Sequence, residues 1–136
     1  MRVAVCLPGY YYSGRFLNCY TDLITGFHKD GIQYGMLNST APNCFNAREG
    51  IVETIEKINN FDFDYLLWID SDQTFSYKDF KVLLEMNVDI ASGAYKTMQG
   101  VYCFGFMKDS VPYMEVETLP KNNIEVDFVG FGFILI

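Results

Sequence analysis

The sequence of 136 residues has few positive charges, a single histidine and no long apolar run. Ten lysine and arginine residues face seventeen aspartate and glutamate residues, which gives a net charge of −7. This balance argues against a general nucleic-acid-binding protein, because such a protein needs a basic surface. His28 has no second histidine with which to share a metal ion, and no stretch of about 18 apolar residues is available to span a membrane.

The cysteines show neither a Cys-x-x-Cys nor a Cys/His spacing that would indicate a metal site. We therefore interpret them as lone buried thiols rather than as metal ligands or disulfide partners, which fits a reducing compartment. The residues before Pro8 are too few for a signal peptide and have the composition of a first strand, so we expect a cytoplasmic protein. The four cysteines are Cys6, Cys19, Cys44 and Cys103.

Apolar residues, in contrast, are abundant and periodic. Half of the residues are hydrophobic and 17% are aromatic, which is enough for the core of a single domain over residues 1–136. Strand-like and helix-like spacings alternate over residues 1–95, which predicts an α/β fold with a mostly parallel sheet flanked by helices. Strands are expected at residues 3–7, 32–37, 65–69 and 88–91, and helices between Ser13 and Gly31, at residues 46–59, and from Ser76 with Asp79 in a capping box.

Residues 96–136 have a different pattern and predict a β-rich continuation. Apolar stretches at 101–106, 112–117 and 124–136 follow one another without a helix between them. The Gly130–Gly132 step in the last stretch indicates a close approach of another backbone or a ligand, or a bulge. The apolar end of the sequence is explained either by a central last strand or by a longer parent protein of which this is a fragment.

Two carboxylates, Asp70 and Asp72, stand directly after the expected strand at residues 65–69. Ligands of open α/β sheets bind at the carboxyl ends of the strands. Ionised carboxylates this close repel each other unless a cation lies between them or one is protonated, and hard divalent ions take such oxygen ligands. The pair is therefore a candidate site for a metal ion that binds phosphate; alternatively, it is a solvated turn, or Asp72 caps the next helix.

Arg48 and the loop after the first strand are further candidates for ligand binding. Arg48 lies in the first turn of the expected second helix, where backbone N–H groups attract an anion and a guanidinium group adds bidentate recognition. The alternative is a surface ion pair with Glu49 or Glu53. Pro8 to Tyr12 follow the first strand, and tyrosines there either stack on a nucleobase or cover apolar surface. In so acidic a protein, an anionic ligand needs a local cation, either a metal ion or an arginine.

Five segments, in this order, resemble the GT-A-type nucleotide-sugar glycosyltransferases, especially small bacterial and phage members of the family-2-like group. Residues 3–8 resemble the first strand and the loop on the uridine side, and residues 46–52 resemble the helix start whose arginine faces the nucleotide. Residues 66–72 are similar to the DxD strand and turn, residues 89–95 to the strand that follows, and residues 126–133 to a later strand with a Gly-x-Gly step. The resemblance implies a GT-A, Rossmann-like fold whose nucleotide-binding half is residues 1–95.

The resemblance also implies an enzyme that transfers the sugar of a UDP- or GDP-sugar to the hydroxyl group of an acceptor, which we expect to be a carbohydrate. It implies that Asp70 and Asp72 hold Mn²⁺ or Mg²⁺, with Asp70 facing the ribose or the metal ion. The residues that it assigns to the nucleotide sugar are Pro8, Tyr10, Asn46, Arg48, Asp70 and Ser71.

Two other interpretations remain beside the glycosyltransferase. The glycosyltransferase family has an acidic base, and often a metal-binding histidine, after the Gly-x-Gly strand. This sequence has no matching positions, so its catalytic residues stay unassigned. A non-catalytic sugar-nucleotide-binding module is therefore an alternative. Residues 69–74 also match the first motif of haloacid-dehalogenase-type phosphatases, in which Asp70 would be the nucleophile and Asp72 the general acid. Two features argue against the phosphatase. Its motif normally begins on the first strand of the domain, whereas two strand–helix units precede it here, and the later acidic pair that holds Mg²⁺ in that family is missing, because Asp127 stands alone in an apolar stretch.

Overall fold

A computed structural model of the protein describes residues 1–58, 62–97, 100–113, 119 and 121–136. Within these residues the chain forms three α-helices and eight β-strands. The helices are α1 (Gly14–Lys29), α2 (Cys44–Lys57) and α3 (Tyr77–Glu85). The strands are β1 (Arg2–Pro8), β2 (Gln33–Ser39), β3 (Tyr65–Ile69), β4 (Ala91–Ser92), β5 (Phe104–Lys108), β6 (Val111–Tyr113), β7 (Phe128–Val129) and β8 (Phe133–Leu135).

The main sheet has five strands in the order β2-β1-β3-β8-β4. β1 pairs in parallel with β2 and β3, whereas β8 pairs antiparallel with both β3 and β4, so β4 runs in the same direction as β1 to β3. A smaller antiparallel sheet has the order β6-β5-β7. The prediction of an α/β fold with a mostly parallel sheet and a β-rich second part is confirmed at this level.

β1 is buried on both faces, and its side chains alternate between two cores. Val3 and Val5 pack with apolar residues of α1 and α3. Ala4 and Cys6 point to the other face and pack with Ile51 of α2. α1 and α2 therefore cover opposite faces of the sheet, which is what two right-handed crossovers require when β2 and β3 lie on opposite sides of β1.

Side-chain caps fix where the three described helices begin. Ser13 caps α1, and Ser76 forms a capping box with Asp79 at the start of α3, both as predicted. α2 begins earlier than predicted because Asn43 is its cap, and the Oδ1 atom of Asn43 accepts a hydrogen bond from the backbone N–H of Asn46 at 2.8 Å. Asn46 consequently lies inside the first turn of α2 rather than at its start.

The predicted strand at residues 88–91 is wrong for most of its length. The side chains of Val88 and Ile90 are exposed, and pairing with β8 begins only at Ala91. Asn87 has a φ of 49°, in the left-handed region, so the chain turns after α3 and reaches the sheet late. The apolar residues of this stretch therefore lie outside the sheet that their composition predicted.

The predicted strand at residues 124–136 is two strands that belong to different sheets. β7 pairs with β5, whereas β8 pairs with β3 and β4, and the Gly130–Gly132 step lies between them. β8 is thus an internal strand of the main sheet, although it comes from the β-rich second part of the chain. The predicted strand at 112–117 lies partly outside the described residues, which include β6 up to Tyr113.

The four cysteines are free thiols, as predicted. The predicted burial is correct for Cys6 and wrong for Cys44, which is exposed, whereas Cys19 and Cys103 are partly exposed. Among the helices that the structure describes, none is both long enough and apolar enough to cross a membrane.

α1 and α3 contact each other at a glycine. A Cβ atom at Gly26 would overlap the ring of Tyr77. That ring packs edge-on against Phe27 and parallel to Phe80, with centroid distances of 6.0 Å in both cases, and its hydroxyl group donates a hydrogen bond to Asp30 Oδ2 at 2.5 Å. Because the ring is held on several sides, it cannot easily move away from a larger residue at position 26.

We expect Gly26→Ala to destabilise the protein by about 1–2 kcal/mol, because overpacking against Tyr77 outweighs the gain in helix propensity. The matched control is Gly14→Ala in the same helix, where an added Cβ would have no neighbour within 4 Å. That variant should be neutral or more stable by up to about 1 kcal/mol. Urea unfolding measures both values, and equal stabilities of the two variants would contradict the packing argument.

We also expect the Tyr77–Asp30 contact to lose its effect at alkaline pH. Burial and the hydrogen bond to Asp30 raise the pKa of Tyr77 to about 12, against about 10 for an unfolded tyrosine. Between these values the unfolded state has lost the proton that the folded state retains, so stability falls as the pH rises, and the contribution is complete below about pH 10. The difference in unfolding free energy between the wild type and Tyr77→Phe should therefore be largest near pH 9 and shrink towards pH 12. A difference that stays constant over this range would show that Tyr77 does not titrate as described.

Candidate functional site

The candidate site lies at the carboxyl ends of β1 and β3. The chain leaves β1 for β2 on one side and later returns to β3 on the other side, so these two neighbouring ends form the topological switch point of the sheet. Ligands of open α/β sheets bind at such a point. Pro8 ends β1, Asp70 to Asp72 follow β3, and α2 begins nearby at Cys44.

The loops after β1, β2 and β3 contact one another at this point. The backbone N–H of Gly9 donates a hydrogen bond to the carbonyl oxygen of Ser39 at 3.0 Å. A Cβ atom at Gly9 would lie only 2.7 Å from the Cβ atom of Ser71, so a side chain there would displace the turn that carries the two acids. Ser71 is thus held against the loop after β1, next to Asp70.

Arg48 and Asp70 form the central contact of the site. The Nη2 atom of Arg48 donates to both carboxylate oxygens of Asp70 at 2.8 Å. The guanidinium group also lies over the ring of Phe131, with 4.8 Å from Cζ to the ring centroid, and this ring packs against Trp68 at 5.4 Å. The predicted alternative, a surface pair of Arg48 with a glutamate of its own helix, is wrong: Arg48 pairs with Asp70, and Glu53 pairs with Lys57 at 3.4 Å.

Opposing effects act on the charge of Asp70. Burial raises the pKa of Asp70 above its usual value, the neighbouring Arg48 lowers it, and the nearby charge of Asp72 raises it again. The thiol of Cys44 also donates to Asp70 Oδ1 at 3.8 Å. One cationic side chain therefore balances the partly buried Asp70 carboxylate, and the second carboxylate next to it adds negative charge.

Asp72 is exposed at the open side of the turn. Its Oδ1 atom lies 3.5 Å from Nε2 of Gln73, and the structure shows no ion pair of Asp72 with a lysine or arginine among the described residues. The predicted alternative in which Asp72 caps the next helix is wrong, because Ser76 caps α3.

The acid pair suits a hard divalent ion whose remaining ligands come from water or phosphate. Asp72 and Asp70 supply carboxylate oxygens, and the oxygens of Asp70 can accept further contacts beside those from Arg48. No group of three or more histidine, cysteine, aspartate or glutamate side chains placed to hold a metal ion occurs in the part of the chain that the structure describes. The two acids are therefore the protein ligands to be tested.

The other predicted site residues surround this contact to different degrees. Pro8 is buried at the end of β1, and Tyr10 is exposed and packs edge-on against Tyr11 at 4.6 Å. Tyr12 is structural instead, since its hydroxyl group donates to the carbonyl oxygen of Leu7 at 2.9 Å. Asn46 is exposed and lies two residues before Arg48 in α2, so the two side chains are on different faces of the helix. Its backbone N–H donates a hydrogen bond to the α2 cap.

Tyr95 is a residue that the sequence did not single out. Its hydroxyl oxygen accepts a hydrogen bond from the backbone N–H of Gly132 at 3.0 Å, and the carbonyl oxygen of Gly132 accepts one from the backbone N–H of Asp70 at 2.9 Å. A Cβ atom at Gly132 would lie 2.7 Å from Nε2 of Gln73 and from Cζ of Tyr95. The Gly-x-Gly step was predicted to mark the approach of another backbone or a ligand, or a bulge; instead, the atoms closest to a Cβ atom at either glycine would belong to side chains of the protein. Tyr95 is joined to Asp70 through Gly132.

Comparison of the chain with protein-family models, with curated proteins and with solved structures gave no match.

We expect Arg48 and Asp70 to stabilise each other measurably. In a double-mutant cycle with Arg48→Gln and Asp70→Asn, the coupling energy should be about 1–3 kcal/mol, because the bonds are charge-assisted and only partly exposed to water. The control cycle uses Glu53→Gln and Lys57→Gln, an exposed pair on the same helix that should give at most about 0.5 kcal/mol. Urea unfolding measures both cycles. A coupling energy for Arg48 and Asp70 no larger than that of the control would contradict this.

Proposed function

We propose that this protein is a glycosyltransferase of the GT-A type that binds the diphosphate of a nucleotide sugar at the Asp70–Asp72 turn. The observation that carries the proposal is the placement of an arginine and two carboxylates at one switch point of a mostly parallel sheet. Arg48 holds Asp70 from α2, and Asp72 lies beside them in the open. An arginine next to an acid pair suits a ligand that carries both phosphate and a divalent cation.

The acidic turn and Arg48 have complementary tasks in this proposal. Asp72 and Asp70 would hold Mn²⁺ or Mg²⁺, which, when bound, supplies positive charge to balance the diphosphate. Arg48 brings a permanent positive charge, and its Nε atom is buried without a hydrogen-bond partner. This local charge explains how a protein with a net charge of −7 would bind an anionic donor.

The loop after β1 is the proposed nucleoside side of the site. Pro8 and Gly9 bring this loop against Ser71, and the exposed ring of Tyr10 follows directly. An exposed aromatic ring beside a phosphate site is suited to stack on a base. Asn46 is exposed in the first turn of α2, two residues before Arg48.

The proposed reaction replaces one bond at the anomeric carbon by another. The oxygen of an acceptor hydroxyl group bonds to this carbon, the bond from the carbon to the diphosphate oxygen breaks, and the nucleoside diphosphate leaves. The hydroxyl proton passes to a base. The residues described here bind and orient the donor for this exchange, and positioning of this kind accounts for a large part of the rate of such reactions.

The position of Asp70 in the fold favours donor binding over the phosphatase interpretation. Two strand–helix units, β1–α1 and β2–α2, precede the strand that carries Asp70, whereas the phosphatase motif normally begins on the first strand of its domain. Asp127, in the apolar stretch before β7, accepts a hydrogen bond from the backbone N–H of Met107 at 2.7 Å. The Asp127 carboxylate therefore helps to hold β5 in the second sheet.

We expect metal-dependent stabilisation by sugar nucleotides, with UDP-glucose and GDP-mannose as probes. At about a hundred times its dissociation constant, a ligand stabilises the folded state by about 2.7 kcal/mol, which raises the melting temperature of a domain of this size by roughly 5–15 °C. The increase should require Mn²⁺ and should be lost in Asp72→Asn. The control variant is Asp89→Asn, an exposed acid that precedes β4 at the other edge of the sheet.

Two results decide this prediction. The proposal fails if neither sugar nucleotide gives a Mn²⁺-dependent increase, or if Asp72→Asn shows the same increase as the wild type. Release of UDP or GDP in the presence of an acceptor then separates an enzyme from a binding module, because both bind the donor and only the enzyme turns it over.

A further inference from the structure

A cavity of about 480 Å³ lies on the α3 side of the Asp70–Asp72 turn. It is lined by residues 73–75 after the turn, by α3, by the residues after β4, by both sheets and by the loop before β7. This volume is within the range of small-molecule sites in proteins, roughly 300–1,000 Å³. The Arg48–Asp70 contact is not among its walls, so the cavity is a separate space next to the proposed donor site.

The walls of the cavity are largely apolar. Buried side chains from α3, from the loop before it and from both sheets line it, namely Phe75, Leu83, Phe104 and Phe133. Val82 and Ile124, which also line it, leave 41% and 45% of their surface exposed, so a bound molecule would remove apolar surface from water. Polar side chains, among them Asp79, Lys121 and Asn123, also line the cavity, so it suits a molecule that has both an apolar body and polar groups.

The polar part of the lining includes side chains that adjoin the two acids. Gln73 lines the cavity, and its Nε2 atom lies 3.5 Å from Oδ1 of Asp72. Tyr95 also lines it and is joined through Gly132 to the backbone of Asp70. A hydroxyl group of a molecule bound near Gln73 would therefore lie next to the acidic turn.

We infer that this cavity binds an amphipathic molecule, with an alkyl or aryl body against the apolar walls and a hydroxyl group near Gln73. This goes beyond the carbohydrate acceptor expected from the sequence. In the proposed glycosyltransferase this molecule is the acceptor. That assignment rests on the proposed function, whereas the cavity and its lining do not depend on it.

The test uses octyl β-D-glucopyranoside, below its critical micelle concentration, and methyl β-D-glucopyranoside as probes. Calorimetric titration of the full chain, without nucleotide or metal ion, should show the octyl compound binding at least about tenfold more tightly, because each buried methylene group contributes. Val82→Asp should weaken binding of the octyl compound at least about tenfold. The matched control is Val52→Asp on α2, a valine with a similar exposed fraction, 44%, that does not line the cavity.

Ile124→Asp provides a second variant in a loop, in case Val82→Asp disturbs the folding of α3, and circular dichroism checks both. The inference is overturned if the octyl and methyl compounds bind alike, if neither binds, or if a cavity variant binds the octyl compound as tightly as Val52→Asp does. Asp72→Asn should keep octyl glucoside binding while it loses the stabilisation by sugar nucleotides. An experiment that contradicts ligand binding in the cavity is therefore distinguishable from one that contradicts the proposed function.

Discussion

Burial of β1 on both faces is the constraint on which the other elements depend. A strand with apolar side chains pointing both ways needs helices on both faces, and α1 and α2 supply them. Helices on opposite faces, with right-handed crossovers, place β2 and β3 on opposite sides of β1. The crevice at the carboxyl ends of β1 and β3 is therefore a consequence of how this strand is covered.

The Asp70–Asp72 turn is well defined because neighbouring groups hold it. Gly9 packs against Ser71, and Arg48 donates hydrogen bonds to the carboxylate of Asp70. The carbonyl oxygen of Gly132 accepts a hydrogen bond from the backbone N–H of Asp70. These contacts come from the loop after β1, from α2 and from the segment between β7 and β8, so the fold itself fixes the turn and the Asp70 carboxylate. Groups positioned in advance lose less conformational freedom on binding.

Much of the fold could be predicted because its signals are local. β3 has the predicted bounds, and the caps at Ser13 and Ser76 follow from side chains that bind backbone groups a few residues away. The strand predicted at residues 88–91 was wrong because apolar composition does not say whether a sheet is within reach. The division of residues 124–136 depends on two different partner strands, which no local pattern records.

The residues of the candidate site could be predicted from the sequence, but their contacts could not. Asp70, Asp72 and Arg48 were recognised by residue type and by their places at a strand end and a helix start. That Arg48 pairs with Asp70 rather than with a glutamate of its own helix depends on how α2 lies against β3. The part played by Tyr95 depends on the path of residues 130–132, which follow it by more than thirty positions in the chain.

The position of β8 has a consequence for the order in which the chain folds. β8 lies between β3 and β4 and is the only partner of β4 among the strands that the structure describes, so this pairing waits until residues 133–135 have been synthesised. β1, β2 and β3 can pair while the ribosome is still adding the rest of the chain, whereas the other edge of the sheet must wait. During that interval β3 presents an unpaired apolar edge, the kind of surface that chaperones bind and that aggregation exploits.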